Sequence, residues 1–317
     1  MLKVLLASPE GEAYFDLLNE LPDVEFVRCR TTAEAMTLCD EIDVFYGRPT
    51  DDLLAAAPRL RWIQASSAGV DFLMSTPKLV ESDIPVTNTR GAHGPSIAEH
   101  VFAMLLTMTR GIPQATEWKA QKYWGRVEAY RTLREVKDST IGIVGFGAIG
   151  RNVAKRARAF DMNVLAVDAR PGPGDDAVAE VWPVSRLHEM LGQADVVVIS
   201  VPYTRETHHL IDAAAIAAMQ PDAYLIAVSR GGIVDEAALA EALTAGHLAG
   251  AGLDVTETEP LPPDSPLWEI PNLILTPHAA GASGPKERRC VEVLRANLVR
   301  FAAGQELINL VDKRAGY

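Results

Sequence analysis

Apolar positions run through this chain in short blocks separated by amphipathic stretches, and that alternation sets the expected fold. KVLLAS, residues 3–8, reads as a strand, GEAYFDLLNEL as an amphipathic helix and VEFVRC as a second strand. TAEAMTLCD continues as a helix and IDVFYG as a strand. DDLLAAAP then reads as a short helix, and LRWIQAS and IPVTN as two further strands. Strands alternating with helices predict a parallel sheet covered on both faces. Residues 96–110, SIAEHVFAMLLTMTR, are apolar on most sides and read as a buried helix, with Ser96 and Glu99 forming a capping box at its start. The polar stretch that follows, with Trp118 and Trp124, is expected to be an arm, or a surface helix and loop, between two α/β units.

From Thr140 the rhythm returns. TIGIVGFG, NVLAVDA, DVVVISVP, AYLIAVSRGG, AGAGLDV and NLILTPH are strand-like, with RNVAKRARAF, RLHEMLGQ, DAAAIAAMQ and DEAALAEALTAG helical between them. PGPGDD and EPLPPDSP mark loops by their Pro and Gly content. The last helix, residues 285–304, and the tail after it cannot form a domain alone and are expected to pack on a structure already built.

One stretch organises the rest. In residues 141–151, IGIVGFGAIGR, a buried strand runs into a glycine turn and then a helix. Gly145 permits the tight turn, Gly147 lets backbone approach a pyrophosphate, and Gly150 lets helix pack on strand. The helix start points its amides and positive dipole end at the phosphates. An ordinary βαβ unit shares the rhythm, but here a second strand ends in Asp168, where a carboxylate meets the ribose of a dinucleotide.

Composition narrows the class. The 317 residues exceed one typical domain, and 48% apolar with 23% charged residues suits a globular protein with a sizeable core. A net charge of -12 argues against nucleic acid and anionic membranes as partners. Cys29, Cys39 and Cys290 stand far apart with no CxxC, against a disulfide framework or a structural zinc, so reduced thiols in the cytoplasm are expected. The N-terminal apolar run is too short for a signal peptide, and no apolar stretch approaches a membrane span.

In an open parallel sheet, ligands bind outside the carboxyl ends of the strands. Those ends carry the glycine turn, Asp168, Arg230, Asp254 with Glu259 in the following loop, and His278. Arginine grips a carboxylate through two parallel hydrogen bonds, histidine gives or takes a proton, and a carboxylate beside the imidazole orients it. The set suits reduction of a 2-oxo acid by a nicotinamide hydride, with no metal required. His93, in GAHGPS, stays a candidate lining residue. His100 reads as an ordinary core histidine and His188, His208, His209 and His247 as surface ones.

The motifs SSAGVD, GPSIAEH, GIVGFGAIG, SVPYTRETHHLI, AVSRGGIVDEAAL, GLDVTETEPLPPDSPLW and NLILTPHAAG appear in the order found in D-2-hydroxyacid dehydrogenases. The chain resembles that family over nearly its whole length, in the glyoxylate/hydroxypyruvate reductase-like and haloarchaeal-type branch. The resemblance implies two Rossmann-like or flavodoxin-like parallel-sheet domains with a cleft between them. Residues 1–100 plus 286–317 would form the substrate domain and 101–285 the NAD-binding domain. It further implies that Arg230 binds the substrate carboxylate, that His278 is the acid/base with Glu259 its partner, and that the amides of Ala68, Gly69 and Val70 hold the carboxylate from the other side. Contacts to NAD are implied at Gly145, Gly147, Ala148, Ile149, Gly150, Asp168, Pro202, Thr207, Val228, Asp254 and Gly281. A homodimer embraced by the Trp118–Trp124 arm is implied as well. Two positions depart from the family: Ala148 stands where many members have Arg or Lys, and Ala227 where Asn is frequent. Tyr46, Arg48, Pro49, Ser66 and Ser67 are candidate walls of the substrate pocket. The alternatives are an NAD(H)-sensing binding protein similar to the C-terminal binding protein corepressors, a group with disordered tails, and a phosphite dehydrogenase, which has a similar triad.

Overall fold

The computed structural model describes residues 1–9 and 11–316. The chain divides into two compact units, Met1–His93 with Ala282–Tyr317, and Gly94–Gly281, each an α/β unit built on a parallel or mostly parallel sheet.

In the first unit, β1 (Leu2–Leu6), β2 (Val24–Arg28), β3 (Val44–Tyr46), β4 (Trp62–Gln64) and β5 (Val86–Thr87) pair in parallel in the order β2-β1-β3-β4-β5. The period of two in β1 divides its side chains between two layers. Leu5 joins Phe45, Ile63 and Leu79, while Val4 and Leu6 join Trp62 and the residues Val291, Leu294 and Leu298 of the helix Gly284–Ala302. That C-terminal helix therefore covers one face of the N-terminal sheet. A buried polar net fixes it there. Asn297 Nδ2 donates to Gln64 Oε1 (3.0 Å) and to the Ile308 carbonyl (3.0 Å), and Asn297 Oδ1 accepts the Ile308 amide (2.9 Å). Gln64 Oε1 also accepts the Thr87 hydroxyl (2.8 Å), whose oxygen accepts the Trp62 indole N–H (2.8 Å). With its members paired, the net can be buried without orphaned polar atoms.

The second unit contains β6 (Thr140–Val144), β7 (Asn163–Asp168), β8 (Gly172–Asp175), β9 (Val178–Pro183), β10 (Val196–Ile199), β11 (Tyr224–Ala227), β12 (Gly250–Leu253) and β13 (Leu273–Leu275). Their order is β13-β12-β11-β10-β6-β7-β9-β8, parallel except for β8 against β9. Connectivity reverses between β10 and β6, and at such a switch point an open α/β sheet leaves room for a ligand. The helix Gly94–Thr109 packs Ile97, Val101 and Leu105 into the core with Ile143, Val198 and Ile226.

Three local expectations change. The helix expected to start at Ser96 starts at Gly94, because Pro95 already has the backbone angle of a first turn. Ser96 is therefore not an N-cap; its hydroxyl donates to the Gly281 carbonyl (3.3 Å), and Glu99 pairs with Arg156 (3.0 Å). PGPGDD is not simply a loop, since residues Gly172–Asp175 form β8 of a hairpin with β9. Residues Glu12–Leu18 form a 3-10 helix. The polar stretch after the long helix forms two helices, Ile112–Gln121 and Arg126–Thr132. Among the described residues no helix is long and apolar enough to cross a membrane, and no group of three or more His, Cys, Asp or Glu could hold a metal ion.

Candidate active site

At the switch point, Gly145 turns the chain with a φ of 98° and donates its amide to the Val167 carbonyl (2.8 Å). The Ser200 hydroxyl, just past β10, donates to the Gly145 carbonyl (2.8 Å) and ties the turn to the neighbouring strand. Gly150 lies so close to that same carbonyl that a Cβ would collide with it, whereas a Cβ on Gly147 would meet nothing within 4 Å. The helix Ala148–Ala159 begins here with no side-chain cap. The first-turn amides of Ala148, Ile149 and Gly150 have no intrahelical acceptor, which leaves them pointing where an anion can sit. Tight packing on one side and open space on the other fit a pyrophosphate.

Asp168 ends β7 with both carboxylate oxygens anchored. Oδ2 accepts the Phe146 amide (2.7 Å) and Oδ1 the Arg170 amide (2.8 Å). A carboxylate has about four acceptor positions, so it can still receive ribose hydroxyls. Pro202 and Thr207 fold the turn after β10: the Thr207 hydroxyl donates to the Pro202 carbonyl (2.8 Å) and accepts the Thr204 amide (2.7 Å). Val228 follows β11, with its amide on the Ile199 carbonyl (3.3 Å).

Strands β11, β12 and β13 are neighbours with Ala227, Leu253 and Leu275 in register, so the segments bearing Arg230, Asp254 with Glu259, and His278 leave from one sheet edge. Gly231 abuts the Thr256 carbonyl where any Cβ would clash, and this close approach joins the arginine segment to the glutamate loop. An Arg230 guanidinium N–H donates to the Ser229 carbonyl (2.6 Å). His278 Nδ1 lies 2.8 Å from Glu259 Oε2, and Glu259 Oε1 accepts the Thr256 amide (3.1 Å). A carboxylate only accepts, so Nδ1 carries the hydrogen and Nε2 is the nitrogen left for chemistry. The imidazole is 45% exposed, within reach of a small molecule.

His278 has a left-handed backbone, φ 51°, which a side-chain-bearing residue adopts only when its surroundings impose it. Asp254, 2% exposed, imposes it here. Its carbonyl accepts the His278 amide (2.7 Å), and its carboxylate accepts the Ala279 and Ala280 amides (2.8 and 3.0 Å) and the Thr276 hydroxyl (2.6 Å). The residue-type reading missed Thr276 and also Glu236. Glu236 accepts the Glu257 amide (2.5 Å), and burial, with Glu257 and Glu259 nearby, holds its carboxyl above the ordinary carboxylate range despite the opposing amide bond and His209.

In the first unit, the Ala68 carbonyl accepts Asn88 Nδ2 (2.8 Å) and the Gly69 carbonyl accepts the Ser67 hydroxyl (2.7 Å). The amides of Ala68, Gly69 and Val70 donate to no acceptor among the described residues, so three successive N–H groups remain for an anion. Tyr46 is fully enclosed, edge-on to Phe15 at 6.2 Å, which places its ring in the core and not on a pocket wall. Pro49 and Ser66 are buried, Arg48 is exposed, and His93 is half-buried.

Residues 102–280 match the model of the NAD-binding domain of D-isomer specific 2-hydroxyacid dehydrogenases. A glyoxylate reductase from Thermofilum pendens is 35% identical over 300 residues, covering 94% of this chain and 84% of that protein. The solved structure of a D-isomer specific 2-hydroxyacid dehydrogenase family protein from Aeromonas salmonicida matches with a TM-score of 0.86 at 36% identity, covering 98% of this chain and 99% of that one. An NADPH-dependent glyoxylate/hydroxypyruvate reductase from Sinorhizobium meliloti, solved with NADP and sulfate, matches with a TM-score of 0.85 at 28% identity over the full length of both chains.

Proposed function

The chain belongs to the D-isomer specific 2-hydroxyacid dehydrogenase family and carries its NAD-binding domain, and from that premise we propose that it interconverts a small 2-oxo acid and the D-2-hydroxy acid, using NAD(H). When bound, the nicotinamide supplies the hydride for reduction or takes it up in oxidation. Arg230 grips the substrate carboxylate through its planar fork and polarises the carbonyl. His278 Nε2 gives a proton to the carbonyl oxygen as negative charge develops there, and takes it back in the oxidative direction. Glu259, bonded to Nδ1, fixes the ring and stabilises the imidazolium.

The unit Gly94–Gly281 is the cofactor domain, and the other unit is the proposed substrate domain, with the amides of Ala68, Gly69 and Val70 as further donors to the carboxylate. Gly145, Gly147, Ala148, Ile149 and Gly150 are assigned to the pyrophosphate and Asp168 to the ribose. Pro202, Thr207, Val228, Asp254 and Gly281 complete the proposed NAD contacts. Exposed Trp124 (88%) and Tyr130 (74%) on the arm favour a homodimer. Three buried thiols that form no disulfide are consistent with the proposed cytoplasmic setting.

The observation that carries this reading is the bond from His278 Nδ1 to Glu259, which leaves Nε2 open on the sheet edge that also bears Arg230. The test is NADH oxidation with glyoxylate, hydroxypyruvate, pyruvate, phenylpyruvate and branched 2-oxo acids, beside NAD reduction with phosphite. Turnover of at least one oxo acid is expected; activity with phosphite alone, or none at all, contradicts the assignment.

A further inference from the structure

We infer that His100, on the helix Gly94–Thr109, is a positioning residue for His278, acting through Thr276 and Asp254; the inference rests on the reductase reading above. Thr276 has one hydroxyl hydrogen, and it lies on Asp254 Oδ1 at 2.6 Å. The same hydroxyl oxygen is 2.9 Å from His100 Nε2 and can only accept there, so His100 carries its hydrogen on Nε2. The result is a directed chain, His100 N–H to Thr276 O–H to the Asp254 carboxylate.

What the chain controls is the backbone at His278. Asp254 is nearly fully buried, and its carboxylate also holds the Ala279 and Ala280 amides, immediately after the left-handed His278. The Thr276 hydroxyl adds a further bond that helps fix the carboxylate in the orientation that meets those two amides. The His100 N–H on the Thr276 oxygen in turn helps align that hydroxyl with the carboxylate. His100 Nε2 is also 3.7 Å from Asp254 Oδ1, so its polar hydrogen sits beside the charge as well. The ring hangs from a helix whose Ala98, Val101 and Leu105 are buried in the core, so its place is fixed by packing. His278 thereby presents Nε2 at a set position, and proton transfer is sensitive to displacements of an ångström or less.

The test uses the full-length chain as His100→Ala, His100→Gln, Thr276→Val and Thr276→Ser, with two readouts: amide hydrogen exchange at Ala279 and Ala280, and steady-state kinetics with the oxo acid the wild type reduces best. Glutamine keeps a donor near the Nε2 position and serine keeps the hydroxyl. For His100→Ala and Thr276→Val we expect about tenfold faster exchange at the two amides and about tenfold lower kcat, the loss of one hydrogen bond, with KM for NADH unchanged. His100→Gln and Thr276→Ser should restore both readouts, and the double variant His100→Ala with Thr276→Val should be no worse than either single one. Unchanged exchange in folded His100→Ala, or a His100→Gln as impaired as His100→Ala, overturns the inference. If His100→Ala does not fold, Thr276→Val against Thr276→Ser decides by the same readouts. Exchange requires no substrate. Faster exchange in a protein that reduces no oxo acid would sustain the positioning role and refute the reductase reading, whereas unchanged exchange with normal oxo-acid turnover would do the reverse.

Discussion

Beyond β6 and β7 the second unit presents backbone, whereas beyond β11, β12 and β13 it presents side chains. On the first side the offered groups are amides at a helix start and a glycine gap, with the Asp168 carboxylate at the strand end and both its oxygens already anchored by amides. On the second side they are a guanidinium on the neighbouring Ser229 carbonyl, a carboxylate that accepts the Thr256 amide, and an imidazole bonded to that carboxylate from another segment. The backbone side requires only a chain path, so a side chain such as Ala148 can replace a larger one without removing a role. The side-chain side depends on orientation, and its failure modes are losses of angle and proton position. The two sides should therefore respond to substitution on different scales.

On the side-chain side a large effect is expected from Arg230→Lys. Lysine keeps the charge and loses the planar fork, so kcat/KM for the oxo acid should fall by about a hundredfold, with kcat reduced as well as KM raised. A change in KM alone would mean that Arg230 binds the acid without assisting the chemistry. On the backbone side the effect should appear as a change of preference. With Asp168 assigned to the ribose, its charge would oppose the 2′-phosphate of NADP, so wild type should favour NADH over NADPH by about a hundredfold, and Asp168→Ala should lower that ratio by about tenfold or more, with Arg170 then able to meet the phosphate. Comparison of kcat/KM for the two cofactors in both proteins checks this; equal wild-type use of NADPH would contradict it.

The smallest effect concerns the crowding of acids behind Glu259. The Glu236 carboxyl is raised by burial first, then by Glu257 and Glu259, so the folded state holds its proton more tightly than the unfolded chain does. Stability is then lost as pH rises from the ordinary carboxylate range through the folded value, and the penalty persists above it. Glu236→Gln removes the charge and keeps the acceptor for the Glu257 amide. It should flatten that fall and raise Tm at neutral pH by about 1–2 °C. A variant that melts lower at neutral pH would show that the charge, not the acceptor, is what the loop needs.

The same contrast explains what was legible in the amino-acid sequence. Gly145, Gly147 and Gly150 could be read from spacing because the turn needs the left-handed backbone of Gly145 and the bare Cα of Gly150, with open space left at Gly147. The bonded pair Glu259 and His278, and their sharing of a sheet edge with Arg230, could be read because residue type and strand-end position together select them. The hairpin of β8 and β9 was not legible: Gly and Pro are poor strand formers, and pairing beside the edge of β7 overrides that local preference. Residues Glu12–Leu18 are short enough that the spacing of their apolar positions fits a 3-10 turn as well as an α-helix. His100 looked like an ordinary core histidine because its partner Thr276 lies far along the chain, and no local pattern marks a contact of that range.

The pH dependence of kcat/KM, followed separately for oxo-acid reduction and hydroxy-acid oxidation, tests most directly whether His278 Nε2 moves the proton. Reduction uses the protonated imidazole and oxidation the neutral one, so reduction should weaken and oxidation strengthen as pH rises. His278→Gln should lower kcat by at least about a hundredfold, abolish both limbs and still bind NADH. Superimposable profiles in the two directions, or a glutamine variant that keeps wild-type kcat, would contradict the assignment of His278 as the acid/base.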